Sequence, residues 1–386
     1  MRRILTLFLA CFLSVGALSG CAEQDASAST DPGQYALAAY APDTDVMTID
    51  GSEVRWNEFA FWLCSAAKDL ADGAGVTAIE DWNAVPDAAS GETYAETLLQ
   101  TVLEKEKQIH SLKVKAADYG LELGEEGEAY VEKSLADTMQ SLSIPEGEGR
   151  AAALKGYYLD EDVLRDQAGV SYLYLLLYQE LFGADGEKLP DEQLQDYIAQ
   201  NGCMTVKHIL LSTVDENNAP LPDDVKAQKH TQAARIIERL RAIDDPNTLL
   251  SEFDRYASEY NEDPGVAQYP NGYCFTSGQM DAAFEAASAA LQPYEVSPEP
   301  VESAYGYHVI LRLPTTGDDV MDFNADGTPY TLRSDAAQAT YTTLAHAWIH
   351  DAKVEWAEGF EHLDVQKLFT KPETFWDKID VFHWFH

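Results

Sequence analysis

FDRYASEYNEDPGVAQYPNGYCFTSGQMDAAFEAASAALQPYEVSPEPVESAYGYHVILRL, residues 253–313, is the stretch on which the fold turns. Phe253, Tyr256, Ala257 and Tyr260 recur at helical spacing, so the stretch opens with a helix. An irregular loop and a tight turn at Phe275-Thr276-Ser277-Gly278 follow. A second helix is predicted with Met280, Phe284, Ala287 and Leu291 on one face, ended by Pro293, which cannot continue it. The β-branched and aromatic residues of Gly306 to Leu313 predict a closing strand. Upstream, Met204 to Leu211 alternates and reads as its partner, with His208 on the face of Val206 and Leu210. By periodicity alone these elements make a mixed α/β domain.

Five segments within and beside this stretch, VKHILL (206–211), FDRYASEYNEDPG (253–265), FTSGQMDAAFEAA (275–287), EVS (295–297) and YGYHVI (305–310), stand in one order and spacing. Together they resemble a parvulin-type peptidyl-prolyl isomerase domain over residues 203–314, with a small antiparallel sheet and surrounding helices. The resemblance implies that Met280 and Phe284 form a proline pocket with Phe275 as an accompanying wall. It implies that His208 and His308 pair on adjacent strands, and that Asp263 lies beside the reacting amide. Ser303 and Tyr305 would complete the polar network, and no metal or organic cofactor is implied. On spacing alone, Met280 and Phe284 read more often as core than as a pocket, the histidines usually as structural groups, and Asp263 before Pro264 as a turn or cap residue. The sequence departs from the family at Tyr269 to Cys274, where a glycine-rich turn is usual, at Tyr294, and at Pro298-Glu299.

The chemistry explains why such a site needs no nucleophile. Rotation about an X-Pro bond breaks amide resonance, a barrier of roughly 18–20 kcal/mol. A catalyst must hold the ring in an apolar pocket, desolvate the amide and favour the twisted form over both planar ones. Each tenfold acceleration requires about 1.4 kcal/mol of that preference.

Working outward, Arg2 and Arg3 precede an apolar run from Ile4 to Ala17 and then Leu18-Ser19-Gly20-Cys21. This reads as a secretory signal over residues 1–20 that resembles a bacterial lipobox, with Cys21 as the acylated first mature residue. Two or more chains would anchor the protein stably at the membrane. Residues 21–45 are predicted to be a flexible tether. Residues 46–202 read as a helical domain, beginning with a turn at Asp50-Gly51 and containing a strongly apolar helix over 160–182 whose uninterrupted core is too short to span a bilayer. With this start, the whole chain is similar to the PrsA/SurA class of extracytoplasmic foldases. That similarity implies that residues 315–386 pack back onto the N-terminal helices, so that the parvulin domain is inserted in a mainly helical chaperone domain.

The formal charge is −40, and losing residues 1–20 removes Arg2 and Arg3 but no acid, giving −42. Such a surface is repelled by nucleic acid and anionic lipid, so no nucleic-acid partner is expected and the lipid must provide the membrane attachment. The loop 213–224 holds Asp215, Glu216, Asp223 and Asp224, which argues against phosphopeptide selectivity. Asp322 to Gly327 copies half of a calcium loop, but Pro329 interrupts it, and an Asp-Gly turn is expected. Besides Cys11 and Cys21 there are Cys64, Cys203 and Cys274, an odd number without C-x-x-C spacing, and sequence selects no disulfide among them. His346 and His350 share a helix face without a further ligand nearby. The function expected is a lipid-anchored prolyl isomerase at the outer face of the membrane, acting on unfolded exported proteins with X-Pro bonds. A weakly catalytic holdase is the alternative, an adhesin using the domain as a scaffold is a third reading, and a homodimer is left open.

Overall fold

The computed structural model describes residues 31–371. The signal, Cys21, and the first part of the tether lie outside these residues. The chain divides into two compact units: one runs to Glu180 and resumes at Tyr341, and the other is Leu181–Thr340. It is an α+β protein in which a unit built on a four-stranded antiparallel sheet interrupts a mainly helical one. Among the described residues, no helix is long and apolar enough to cross a membrane.

In the helical unit, Asp45–Ile49 and Ser52–Arg55 form a hairpin closed by Asp50 and Gly51, both at positive φ. Such a turn matches the twist of the strands it joins. Val354–Trp356 adds a third strand, with Met47 opposite Trp356 and Ile49 opposite Val354. Trp56, Phe59 and Leu63 of the helix Trp56–Gly73 recur at helical spacing, as do Leu98, Val102, Ile109 and Leu112 of Tyr94–Asp118, and all are buried. Thr93 and Glu96 start the second of these helices with a reciprocal capping box. Tyr341 is also buried, its ring against Tyr174 and its hydroxyl donating to the Tyr174 carbonyl.

The described part of the predicted 21–45 tether is structured. Asp31 caps the helix Pro32–Leu37 and accepts the Tyr158 hydroxyl at 2.8 Å, while Trp56 Nε1 donates to the Leu37 carbonyl. Low hydrophobicity over residues 21–45 concealed these contacts because they are made by backbone groups and one carboxylate.

The second unit is built on an antiparallel sheet in which Met204–Ser212 pairs on one side with Tyr273–Phe275 and on the other with Gly306–Leu313, followed by Val301–Glu302. Alternation divides the two long strands. Ile209, Leu211, Val309 and Leu311 face the helices Asp223–Arg241 and Pro246–Tyr260, where Ile236, Ile237, Leu249 and Phe253 complete a core. Val206 and Ile310 face the other way, against Phe275, Phe284 and Leu291. Asp245 with Pro246 at the first helical position starts the second of those helices, as fixed φ and a side-chain cap require.

This unit is wider than the predicted 203–314. Tyr197 and Tyr330 both donate to Asp335, Arg333 reaches the Leu189 carbonyl and Asp191, and Thr205 Oγ1 donates to Asp319. Residues 320–331 form a hairpin of Val320–Phe323 and Pro329–Thr331, with Gly327 at positive φ in the turn. Cys64, Cys203 and Cys274 are free and buried. His350 is bonded to Asp351 at an exposed helix end.

Candidate isomerase site

Period-two alternation puts His208 and His308 on one face of the sheet, and the register sets His308 opposite Leu210, diagonal to His208. Their rings stack at 18°, with Nδ1 to Nδ1 at 3.0 Å. His208 Nε2 reaches Asp263 Oδ2 at 2.9 Å, the Tyr273 hydroxyl donates to the same oxygen at 2.5 Å, and the Gly265 N–H donates to Oδ1 at 2.9 Å. At the other end, Ser303 Oγ lies 2.7 Å from His308 Nε2. A single line of bonds thus runs Tyr273, Asp263, His208, His308, Ser303.

Only one set of protons fits this line with both histidines neutral. Burial alone would raise the Asp263 carboxyl, but bonds from His208, Tyr273 and the Gly265 N–H outweigh it and hold the group well below the usual carboxylate range. Ionised Asp263 accepts, so His208 donates from Nε2 and must accept at Nδ1. His308 therefore donates from Nδ1 and accepts the Ser303 hydroxyl at Nε2. Burial, and then the charge His208 would carry, push His308 down to about 4.

That shift carries a stability prediction. An unfolded histidine binds its proton near about 6.5. Between pH 6.5 and 4 the unfolded chain therefore holds a proton that folded His308 refuses. Stability from this group is full above about 6.5, falls through the window, and is lower by on the order of 3 kcal/mol below about pH 4. Native-state hydrogen exchange at the Ile209 and Ile310 amides, measured at pH 7, 5.5 and 4.5, should show protection falling, and a His308→Gln variant should show a shallower fall. Equal slopes would remove His308 as the source.

The loop carrying Asp263 is held by the strand it flanks. Asn261 Oδ1 accepts the Leu210 N–H and Asn261 Nδ2 donates to the His208 carbonyl, while the Glu262 N–H donates to the Leu210 carbonyl. Beyond Val206 the strand Tyr273–Phe275 no longer pairs, and this loop satisfies the open edge in its place. Neither Asn261 nor Tyr273 was found by sequence reasoning. The available signal was that Tyr273 lies two residues before Phe275 on one strand, and therefore on the same face.

The apolar side differs in detail from expectation. The second helix is Ala282–Ala290, capped by Asp281, so Met280 and Leu291 lie just outside it. Helical spacing could not reveal that Glu285 turns back to accept the N–H groups of Gly278 and Met280, fixing the turn as a separate element. Met280 still packs with Phe275 and Phe284. The Phe284 ring centroid lies 5.4 Å from that of His208 and 5.1 Å from that of His308, both edge-on. Phe284 is 5% exposed and Phe275 1%, so Phe275 lies beneath the pocket as core. Tyr305 is 58% exposed and joins the network only through its backbone N–H to Ser303 Oγ. His208, Asp263, His308 and Ser303 are therefore brought together beside Phe284 and Met280, and the Tyr305 side chain is not.

Residues 208–313 match the family model for the rotamase, PPIC-type PPIASE domain. Over 252 residues the chain is 27% identical to the foldase protein PrsA of Halalkalibacterium halodurans, covering 64% of this chain and 68% of that one. Among solved structures it is similar to PrsA from Bacillus subtilis, at 19% identity and a TM-score of 0.24, covering 76% of this chain and 94% of the other. It is also similar to the parvulin of Nitrosopumilus maritimus, at 30% identity and a TM-score of 0.20, covering 29% and 96%.

Proposed function

We propose that this chain, which belongs through residues 208–313 to the PPIC-type rotamases, catalyses cis–trans isomerisation of X-Pro bonds in unfolded exported proteins. The observation that carries the proposal is the unbroken bonded line from Tyr273 to Ser303 laid against Phe284 and Met280. Proline binds over Met280 and Phe284, which strip water from the imide. The ionised Asp263, held by three donors, puts fixed negative potential beside it. That potential disfavours charge build-up on the carbonyl oxygen, and with it the resonance form that keeps the bond planar. The histidine pair positions Asp263 from one side and Ser303 from the other, and burial keeps His308 neutral at pH 7.

The test is exchange spectroscopy of an unmodified Ala-Pro peptide with the intact chain and no protease. Acceleration of cis–trans exchange at micromolar protein is expected. Its absence would favour the second reading, a holdase, which draws support from the burial of Phe284 and Phe275: little of the pocket beyond Met280 is open to a client.

We also propose that Cys21 carries lipid and holds the protein at the extracytoplasmic face of the membrane. The support is the sequence Leu18-Ser19-Gly20-Cys21 after a charged, apolar leader. Cys21→Ser should yield released protein or unprocessed precursor in a fractionation experiment. Unchanged processing and membrane association would exclude the anchor.

A further inference from the structure

Away from the isomerase site, the helical unit buries a second polar cluster. Glu106 and His110 lie four apart on the helix Tyr94–Asp118 and so share one face. Glu58, from the helix Trp56–Gly73, meets them. One ligand atom from each of the three lies within 4.8 Å of the others. His110 Nε2 is 3.3 Å from Glu58 Oε2 and 3.7 Å from Glu106 Oε2. Glu106 is 0% exposed, His110 1% and Glu58 9%.

The Glu106 carboxylate distinguishes this cluster from an ordinary buried ion pair. Neither of its oxygens has a hydrogen-bond partner among the described residues, and Glu58 Oε1 has none either. Buried carboxyl oxygens almost always find one. Left as it stands, the site holds a fully buried carboxylate beside a second one, with both Glu106 oxygens unpaired. A cation answers both demands, because it neutralises the carboxylates and takes their lone pairs.

We infer that Glu58, Glu106 and His110 form a binding site for one divalent transition-metal cation of the zinc type, which fastens the two helices together. One imidazole with two carboxylates suits such an ion better than calcium or magnesium, which prefer oxygen alone. With bonds of about 2.0–2.2 Å, tetrahedral ligand atoms stand about 3.4 Å apart, close to both measured histidine–glutamate separations. His110 is already oriented for the role. Its Nδ1 lies 2.7 Å from Ser52 Oγ, so donation to that hydroxyl leaves the Nε2 lone pair facing the two glutamates. The surrounding charge agrees: Asp166 adds a third carboxylate, and the ammonium of Lys113, 2.6 Å from it, is its partner. Three carboxyl groups against one ammonium leave an excess of acidic groups around the site for a divalent ion to meet.

The experiment uses the intact chain, stripped with a chelator and dialysed against Zn²⁺, then melted with and without the ion. One tightly bound zinc per chain is expected, with a metal-dependent rise in melting temperature of the helical unit read by tryptophan fluorescence. Among residues 31–371 all tryptophans belong to that unit. Glu106→Gln should weaken binding by about 100-fold and remove the rise. Glu58→Gln, at the more open edge of the cluster, gives the same readout should Glu106→Gln fail to fold. Cobalt should give a visible absorption band with wild type and not with the variants. Zinc that still bound the folded variants with wild-type affinity would be sitting on other histidines, such as His346 and His350, and would overturn the assignment. So would a wild-type melting temperature indifferent to the ion.

Discussion

Asp263→Ala is expected to lower isomerase turnover by about 100-fold and, at the same time, to lower the melting temperature of the Leu181–Thr340 unit by roughly 5–10 °C. The stability effect is larger than a loop position suggests. Asp263 lies where a cap or turn residue would be tolerated and replaced without consequence, and sequence alone predicts almost no loss. In the structure its two oxygens accept from His208, Tyr273 and Gly265, and its side chain is only 17% exposed. Alanine would leave the His208 Nε2–H and the Tyr273 hydroxyl without an acceptor. Hydrogen bonds to a charged group are worth about 1.5–3 kcal/mol each, and part of that loss is recovered where water enters. Asp263→Asn separates charge from position, because the amide oxygen still accepts while the negative potential is gone. Turnover in the asparagine variant should fall nearly as far as in alanine, with a smaller loss of stability. Wild-type turnover in Asp263→Asn would assign the residue a positioning role only, and full turnover in a folded Asp263→Ala would leave desolvation over Met280 and Phe284 as the whole mechanism.

The same residues show what sequence can and cannot reveal. Strand alternation gave the face of His208, and the order of the motifs, by resemblance, gave its pairing with His308. Phe284 was legible through the same motif order, its helical spacing alone reading as core. The Met280 turn was not, because the carboxylate that holds it belongs to Glu285, a position that on a helical wheel reads as ordinary exposed surface. Tyr273 and Asn261 were missed because each acts through a contact made by folding: one hydroxyl onto a carboxylate ten residues away, and one amide in place of an absent strand. Glu106 and His110 have the i,i+4 spacing of a ligand pair, visible in the sequence, yet the third member comes from another helix. Periodicity within one segment carries no information about which face of a second segment it meets.

Gly306 is the position where one added methyl group is expected to do most damage. It begins the strand Gly306–Leu313, opposite Ser212, at φ +152, a conformation that L residues rarely adopt. A Cβ there would lie 2.3 Å from the Leu211 carbonyl oxygen, 2.8 Å from Ser212 Cα and 2.9 Å from the Thr213 nitrogen. All three are backbone atoms, so no side chain can turn aside. The two strands must separate at this point, and His308 follows only two residues later on the same face. Gly306→Ala is therefore expected to destabilise the unit by about 3 kcal/mol or more, with loss of isomerase activity as the histidine pair is displaced. Gly327 is the control: its φ is +83, but a Cβ there meets nothing within 4 Å. Gly327→Ala should cost only about 1 kcal/mol, the conformational penalty without the collision. Denaturant titrations of the two variants, followed by hydrogen exchange at Ile209 and Ile310, measure the difference directly. If Gly306→Ala proves no worse than Gly327→Ala, the close approach of the strands is not what requires glycine, and the site would tolerate a looser start to the strand that carries His308.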